Sequence, residues 1–337
     1  MAYKVGSITV IDDTTGFYGW MPDVNIILHA GYVMAGYRSS LLHNKLNKAT
    51  YGTDTTSTLS ATCSHIANYL CGSSGPTRGI AWGVGSTGAT GVGVEDSGTN
   101  ILTFASETIA VGPTMGTIRS YHEAVTYEGI GGYTTGGTGV GASSSTTVDK
   151  WVAATNTISS ATAVGTHIVN HNHAFTGNKQ RGFWNTTGSA GQTLAFSTET
   201  WAASTGHLDA TIYKQALAVS TRIARGYCVG GWETNGDHTS HKCTINGTAV
   251  TTTSIGTVPS RINDGHGNSE TNALMGNNYS RAIGGYSAGT IGQHSLSCKI
   301  AHSNDAFIDV SGLDIPNAGS SYVSGRYGCS SGATVWV

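Results

Sequence analysis

Charge is scarce in this chain. Only 11% of its 337 residues are Asp, Glu, Lys or Arg, against about 25% in an ordinary globular protein. The formal net charge of −2 leaves no basic stripe to neutralise phosphates, which argues against a nucleic-acid partner. No run of eighteen apolar residues occurs, so no transmembrane helix and no membrane insertion are expected. The opening Met1-Ala2-Tyr3-Lys4-Val5 lacks the apolar core of a signal peptide, and the chain is expected to fold in a cytoplasm. No Cys-x-x-Cys pair is present. In that compartment Cys63, Cys71, Cys228, Cys243, Cys298 and Cys329 read as buried thiols rather than as disulfides or a zinc site.

Catalytic signatures are missing as well. There is no Gly-x-Ser-x-Gly elbow. The Gly-rich segment Gly83-Val84-Gly85-Ser86-Thr87-Gly88 lacks both the Lys-Ser/Thr and the βαβ context of a phosphate loop, and reads as a turn. The sparse acids show no recurrent pairing suited to acid–base work. The chain is therefore expected not to be an enzyme, with no catalytic residue, no cofactor and no metal site.

Glycine, by contrast, fills 48 positions, while proline fills 5. The 7 Trp and 15 Tyr are spread along the whole length, which suits a packed core better than disorder. Short apolar runs among Gly and Thr point to an all-β protein with many turns.

One such run recurs. It reads Arg225-Gly226-Tyr227-Cys228-Val229-Gly230-Gly231-Trp232. Its relatives are Arg78–Gly83, Glu128–Tyr133, Arg181–Trp184 and Arg281–Tyr286, with weaker copies at Ala30–Tyr37 and Gly325–Cys329. Anchors at Ala30, Arg78, Glu128, Arg181, Arg225, Arg281 and Gly325 stand 44 to 56 residues apart. A period of 20–50 residues or so decides a repeat fold. Each unit holds about four strand-like pieces, such as Thr117–Val125, Gly129–Tyr133, Thr146–Val152 and Thr157–Thr162, rich in β-branched and aromatic residues.

This pattern resembles the kelch-type β-propeller repeat. Arg119-Ser120-Tyr121-His122 matches the first strand of that family, Gly131-Gly132 the double glycine ending its second, and Thr99-Asn100-Ile101-Leu102 its third. The double glycine is intact in three copies, at 131/132, 230/231 and 284/285. The resemblance implies an all-β fold. Residues 1–337 would form a single seven-bladed propeller of four-stranded blades. A β-sandwich pair and a β-helix are the alternatives, the latter disfavoured by its shorter coils. Because an unpaired edge strand is a liability, the strand Gly6–Asp13 is expected to complete the last blade as its outermost strand. Residues 1–29 would then close the ring and enter the first blade.

Several clusters read either as sites or as purely structural. His167, His171 and His173 form the densest histidine group, and the last two would share a face of a strand. Asp237, His238 and His241 form a similar one of equal weight. Residues 263–270, Asn-Asp-Gly-His-Gly-Asn-Ser-Glu, gather oxygen ligands that calcium could accept, without the EF-hand spacing. Structural loops account for all three. The recurring aromatics Tyr37, Trp82, Tyr133, Trp184, Trp232 and Tyr286 either stack on sugars or fill the wedge between blades, and the wedge is favoured. The recurring Arg78, Arg181, Arg225 and Arg281 read as donors to carbonyls at blade junctions rather than as an anion site in a channel. Asn185, Asn246 and Asn278 match the N-glycosylation pattern by composition alone.

The opening Met1–Asp13 also resembles the start of virion structural proteins of tailed bacteriophages, marine and cyanobacterial ones especially. That resemblance implies a non-enzymatic virion component of a tail, fibre or capsid surface, serving assembly or host-surface attachment. Its partners would be other virion proteins in a multi-subunit assembly, with host glycans reached through loops on a rigid scaffold. A lectin-like propeller is the alternative. A copper-radical oxidase of the galactose-oxidase kind is less favoured, because no motif joins a Tyr, a Cys and His ligands.

Overall fold

The computed structural model describes residues 3–5, 8–11, 27–38, 41–64, 71–82, 97–120, 122–127, 130–136, 138–139, 147–161, 173–177, 180–186, 191–205, 212–213, 218–219, 225–228, 232–233, 239–257, 272–274, 279–286, 293–310 and 327–333. Within them the chain forms thirty strands and no helix. The protein is all-β, as its Gly/Thr-rich composition leads one to expect.

The first hairpin pairs β1 (Tyr3–Val5) with β2 (Ile8–Ile11). A first four-stranded sheet follows from β3 (Ile27–Arg38), β4 (Leu41–Thr50) and β5 (Thr55–Thr62). The second sheet runs β6 (Cys71–Ser74), β7 (Arg78–Trp82), β8 (Thr99–Thr103) and β9 (Thr108–Val111). Beside the third sheet a short pair joins β10 (Arg119–Ser120) to β13 (Thr138–Gly139). That sheet itself holds β11 (Glu123–Tyr127), β12 (Gly131–Thr135), β14 (Val148–Val152) and β15 (Thr157–Ser160). The fourth holds β16 (His173–Gly177), β17 (Arg181–Thr186), β18 (Gln192–Ala195) and β19 (Thr200–Ala203). A further short pair joins β20 (Ile212–Tyr213) to β23 (Trp232–Glu233). The fifth sheet holds β21 (Ala218–Val219), β22 (Arg225–Cys228), β24 (Thr239–Asn246) and β25 (Ala249–Thr257). The sixth holds β26 (Asn272–Leu274), β27 (Tyr279–Tyr286), β28 (Gln293–Ala301) and β29 (Phe307–Asp309). Every one is an antiparallel meander in chain order.

The last strand, β30 (Tyr327–Ala333), breaks that order. It pairs with β3, from Ile27 opposite Ala333 to Met34 opposite Tyr327, and so supplies the fourth strand of the first sheet. Two expectations are corrected here. Among the described residues the strand at Ile8–Ile11 pairs with its own hairpin partner and completes no four-stranded sheet. The described residues also build six four-stranded sheets rather than seven, because the seventh copy, around Gly325, leads into an added strand of the first sheet. The physical reason is the same for both. The open edge of β3 needs a partner for its backbone groups, and the seven residues of β30 reach it.

The starting strands of the sheets touch in sequence. β30 lies against β6, β6 against β11, β11 against β16, β16 against β21, β21 against β26, and β26 against β30. Middle strands are buried on both faces, as in β7, β8, β12 and β18, whereas the outer strands β9, β15 and β19 are exposed or half-buried throughout. Face-to-face stacking of sheets explains why strands such as Arg78-Gly79-Ile80-Ala81-Trp82 do not alternate polar with apolar. Trp82, Trp151 and Tyr133 are wholly buried between sheets. The double glycine has a packing cause too. A Cβ on Gly132 would stand 2.4 Å from the Ser73 Cβ and 2.7 Å from the Val125 carbonyl oxygen, so only glycine lets the second and third sheets approach this closely.

Candidate functional site

The polar side chains that recur in this low-charge chain meet at the joints between sheets. Each joint draws on two features. One is a cross-strand pair on the second and third strands of a sheet. The other is the turn between the third and fourth strands of the next sheet.

The turns share a sequence logic. They read Tyr51-Gly52-Thr53-Asp54-Thr55, Phe104-Ala105-Ser106-Glu107-Thr108, Ala153-Ala154-Thr155-Asn156-Thr157, Phe196-Ser197-Thr198-Glu199-Thr200 and His302-Ser303-Asn304-Asp305-Ala306. In each, the fourth residue takes a left-handed backbone, with φ of 48° at Asp54, 54° at Glu107, 52° at Asn156, 54° at Glu199 and 58° at Asp305. Gly247 does so in the tighter turn of the fifth sheet, at 61°. A hairpin loop of this length commonly ends in such a residue. Hydroxyls on either side of it pair with each other, at 2.7 Å for Thr53 and Thr55, Ser106 and Thr108, and Thr198 and Thr200. A non-glycine residue in this conformation costs about 1–2 kcal/mol, so the acids need compensating contacts, and the neighbouring sheet supplies them.

Three joints are built alike. Tyr32 stands opposite Lys48, Tyr133 opposite Lys150 and Tyr227 opposite Lys242. Each pair reaches the acid of the following sheet. The Tyr32 hydroxyl donates to Glu107 at 3.0 Å, and Lys48 donates to the same oxygen at 2.5 Å. Tyr133 donates to Glu199 at 3.2 Å, and Lys150 pairs with that carboxylate as well. Tyr227 donates to Asp305 at 2.7 Å, and Lys242 does so at 2.6 Å. The Tyr rings also stack on the first residue of each turn. The centroids lie 5.6 Å apart for Tyr32 and Phe104, 5.4 Å for Tyr133 and Phe196, and 5.6 Å for Tyr227 and His302. The Lys48 hydrogen bond holds the Glu107 carboxyl below the usual range, against the opposing effect of burial. Burial, followed by the charge of Glu199, pushes the Tyr133 hydroxyl well above the usual tyrosine range.

Two other joints are apolar. Ile80 stands opposite Ile101, and these two pack with Trp151 and Ala153 of the third sheet. Phe183 stands opposite Thr193 and packs with Cys243, Ile245 and Val250 of the fifth. The turns that follow these pairs carry Asn156 and Gly247 in place of an acid. Side chains on one sheet and the turn residue on the next thus change together.

The sixth sheet meets the first through a different set. Arg281 stands opposite Lys299, and both pair with Asp54, Arg281 at 2.9 Å. The Arg281 guanidinium lies 3.9 Å from the Tyr51 ring centroid and donates to the Tyr51 carbonyl at 3.4 Å. Burial alone would raise the Asp54 carboxyl, but Lys299 and Arg281 outweigh it and bring the group below its usual range.

These joints absorb several residues singled out in the sequence. Trp82, Tyr133 and Trp184 are buried and fill the space between sheets, which leaves none of the three free to stack on a sugar. Arg281 is the carbonyl donor at a junction, while Arg78 and Arg181 are half-buried on β7 and β17. Cys63, Cys71, Cys243 and Cys298 are buried free thiols. His241 is buried on β24, and His173 lies on β16. His167, His171, Asp237, His238 and residues 263–270 lie outside the described residues, as does Asn278. Among the described residues no three His, Cys, Asp or Glu side chains gather in a way that could hold a metal. Sequence reasoning missed the turn acids and their lysines. Their signal was the near-repeat of Phe-Ala-Ser-Glu-Thr at 104–108 as Phe-Ser-Thr-Glu-Thr at 196–200.

Chemically, each turn carboxylate is occupied by two donors and each joint tyrosine by an acceptor. Such groups fasten one sheet to the next. No family model and no curated protein match the chain.

Proposed function

We propose that the six sheets are the blades of one kelch-like β-propeller. The first blade would be completed by the C-terminal strand, and the ring would act as a rigid, non-enzymatic scaffold in a tailed-bacteriophage virion. The observation that carries the scaffold reading is the joint system. The recurring Tyr, Lys and acidic side chains, in a chain with few charges, are employed between sheets. The Arg281–Asp54 contact, 227 residues apart in the chain, supports ring closure, as does the circular order of the starting strands. The virion reading rests on the likeness of Met1–Asp13 to phage structural proteins. In this reading the loops that connect the strands meet other virion proteins or host-surface glycans, and multivalent loop contact on a fixed ring supplies attachment.

The test is location. A gold-labelled antibody against the chain is expected to decorate tailed phage particles at one defined structure under the electron microscope. Label confined to the soluble fraction of the lysate, with bare particles, would overturn the virion reading.

A further inference from the structure

The side chains at the joints repeat at every second sheet. Tyr32, Tyr133 and Tyr227 stand on the first, third and fifth sheets, each opposite a lysine. The turn acids that they reach, Glu107, Glu199 and Asp305, stand on the second, fourth and sixth. The joints in between are unlike one another, with Ile80 and Ile101, Phe183 and Thr193, or Arg281 and Lys299 at the corresponding pair. The repeating unit is therefore two sheets, present three times.

The exposed wall carries the same period. Each sheet ends in an outer strand. On the odd sheets its exposed positions hold hydroxyls, such as Ser57 and Ser60 on β5, Ser159 and Ser160 on β15, and Thr251 and Thr253 on β25. On the even sheets, beyond the turn residues Thr108 and Thr200, they hold Ala110 and Val111 on β9, Ala203 on β19 and Ile308 on β29. Val111 is 59% exposed and Ile308 37%. Asp309 is the one charged residue in all six strands, where an exposed surface ordinarily has about 25–35% charged residues. Exposed apolar side chains in surroundings depleted of charge mark a contact surface.

We propose that the outer strands of the even sheets form one interaction surface, and that it takes a three-fold symmetric protein of the particle. The proposal rests on the ring and virion readings above. Each apolar edge is only a few side chains, far below the roughly 1,000 Å² that a stable interface buries. An occupant of one edge alone would not stay. An occupant of all three gains from multivalency, because each further contact is made within the complex. A closed three-fold assembly presents one surface three times about its axis, and the alternate sheets of a six-sheet ring offer that same arrangement. A second copy of this chain, meeting edge to edge, would cover one patch per contact and leave the others bare.

Photo-cross-linking in assembled particles tests this. A benzoylphenylalanine is placed at Val111, Ala203 or Ile308, and for comparison at Ser57, Ser159 or Thr253, all exposed positions. The even positions are expected to capture one protein, and the same peptide of it at all three, while the odd positions capture none. In a second measurement the chain carrying Val111→Lys, Ala203→Lys and Ile308→Lys together is expected to fall about a hundredfold or more in copies per particle, the scale on which avidity is lost. Ser57→Lys, Ser159→Lys and Thr253→Lys together should leave the copy number unchanged. Particles that hold none of the unaltered chain would overturn the virion reading, and this proposal with it. Particles that hold the chain but give no adduct at the even edges would overturn this proposal alone. So would different peptides at the three even positions, capture of this chain itself, or equal capture at odd and even positions.

Discussion

The Tyr133 hydroxyl lies 3.2 Å from a Glu199 carboxylate oxygen, and its ring lies 5.4 Å from Phe196 and nearly parallel to it. One residue thereby presents both a flat apolar face and a donor to the same turn of the next sheet. Burial first, and the negative charge of Glu199 second, oppose ionisation of this phenol. The linkage follows from the sign. A proton held more tightly in the folded state stabilises it fully below the unfolded tyrosine value of about 10, and this contribution is lost as pH rises through the folded value. Spectrophotometric titration near 295 nm is expected to show a late component that ionises only as the protein unfolds, and Tyr133→Phe is expected to diminish that component. A Tyr133 that titrates with the exposed tyrosines would contradict the joint.

Acid acts on the other partner. The Lys48 hydrogen bond lowers Glu107, and the Tyr32 hydroxyl adds to the effect. A depressed carboxyl contributes stability above its unfolded value, and that contribution fades as pH falls through the folded one. Glu107→Gln is therefore expected to lower stability at neutral pH by about 1 kcal/mol, the scale of a partly exposed charged hydrogen bond. At a pH low enough to protonate the depressed folded carboxyl, the difference from the unaltered chain should vanish, because both are then neutral at this position. Urea midpoints at the two pH values decide it, and a difference that persists in acid would assign the cost to packing instead of charge.

The strand period was legible because every copy but the last marks a second strand. Arg78, Arg181 and Arg225 open β7, β17 and β22, and Ala30 and Arg281 fall inside β3 and β27. The count of sheets was harder to read. The copy near Gly325 has the same Gly-aromatic look as the others, yet Tyr327–Ala333 serves as an added strand of the first sheet. Nothing local in that segment distinguishes a second strand from a first, since small residues beside an aromatic occur in both. The joints were hidden for a different reason. Their acids occur in alternate sheets for Glu107, Glu199 and Asp305, with Asn156 and Gly247 in between, so a search at the single-sheet period dilutes the signal. An acid at positive φ also defies the usual expectation of Gly or Asn there.

The glycine pair at 131–132 makes a sharper prediction. Gly131 has φ of +155°, and a Cβ there would stand 2.1 Å from the Trp151 carbonyl oxygen. At Gly132 the clash would come from the side chain of Ser73, on the adjacent sheet, whose hydroxyl accepts the Trp82 indole N–H at 2.9 Å. Gly132→Ala is thus expected to push the second and third sheets apart and to disturb Trp82. Its cost should be about 1–3 kcal/mol, typical of overpacking. The Trp fluorescence maximum should shift to the red along with a lower urea midpoint. Gly52→Ala, at a turn with nothing within 4 Å of the added Cβ, is the matched control and should cost far less.

Trp151 tests whether the apolar joint is held by volume or by hydrogen bonding. Its side chain is wholly buried between Ile80, Ile101 and Met115, and its indole N–H donates to the Asn156 side-chain oxygen at 3.2 Å. Trp151→Ala removes the whole ring from a site bounded by two sheets, each fixed by its own ladder and so unable to collapse fully. The expected loss is about 3–5 kcal/mol. Asn156→Gly deletes only the acceptor. It relieves a left-handed backbone that Asn already tolerates well, but it strands the indole N–H, and the net loss should be about 1 kcal/mol. A ratio of this size in urea unfolding places the joint's strength in the buried ring. Comparable losses for the two variants would instead place it in the hydrogen bond, and would make the apolar joints closer in kind to the Tyr–Lys ones than their composition implies.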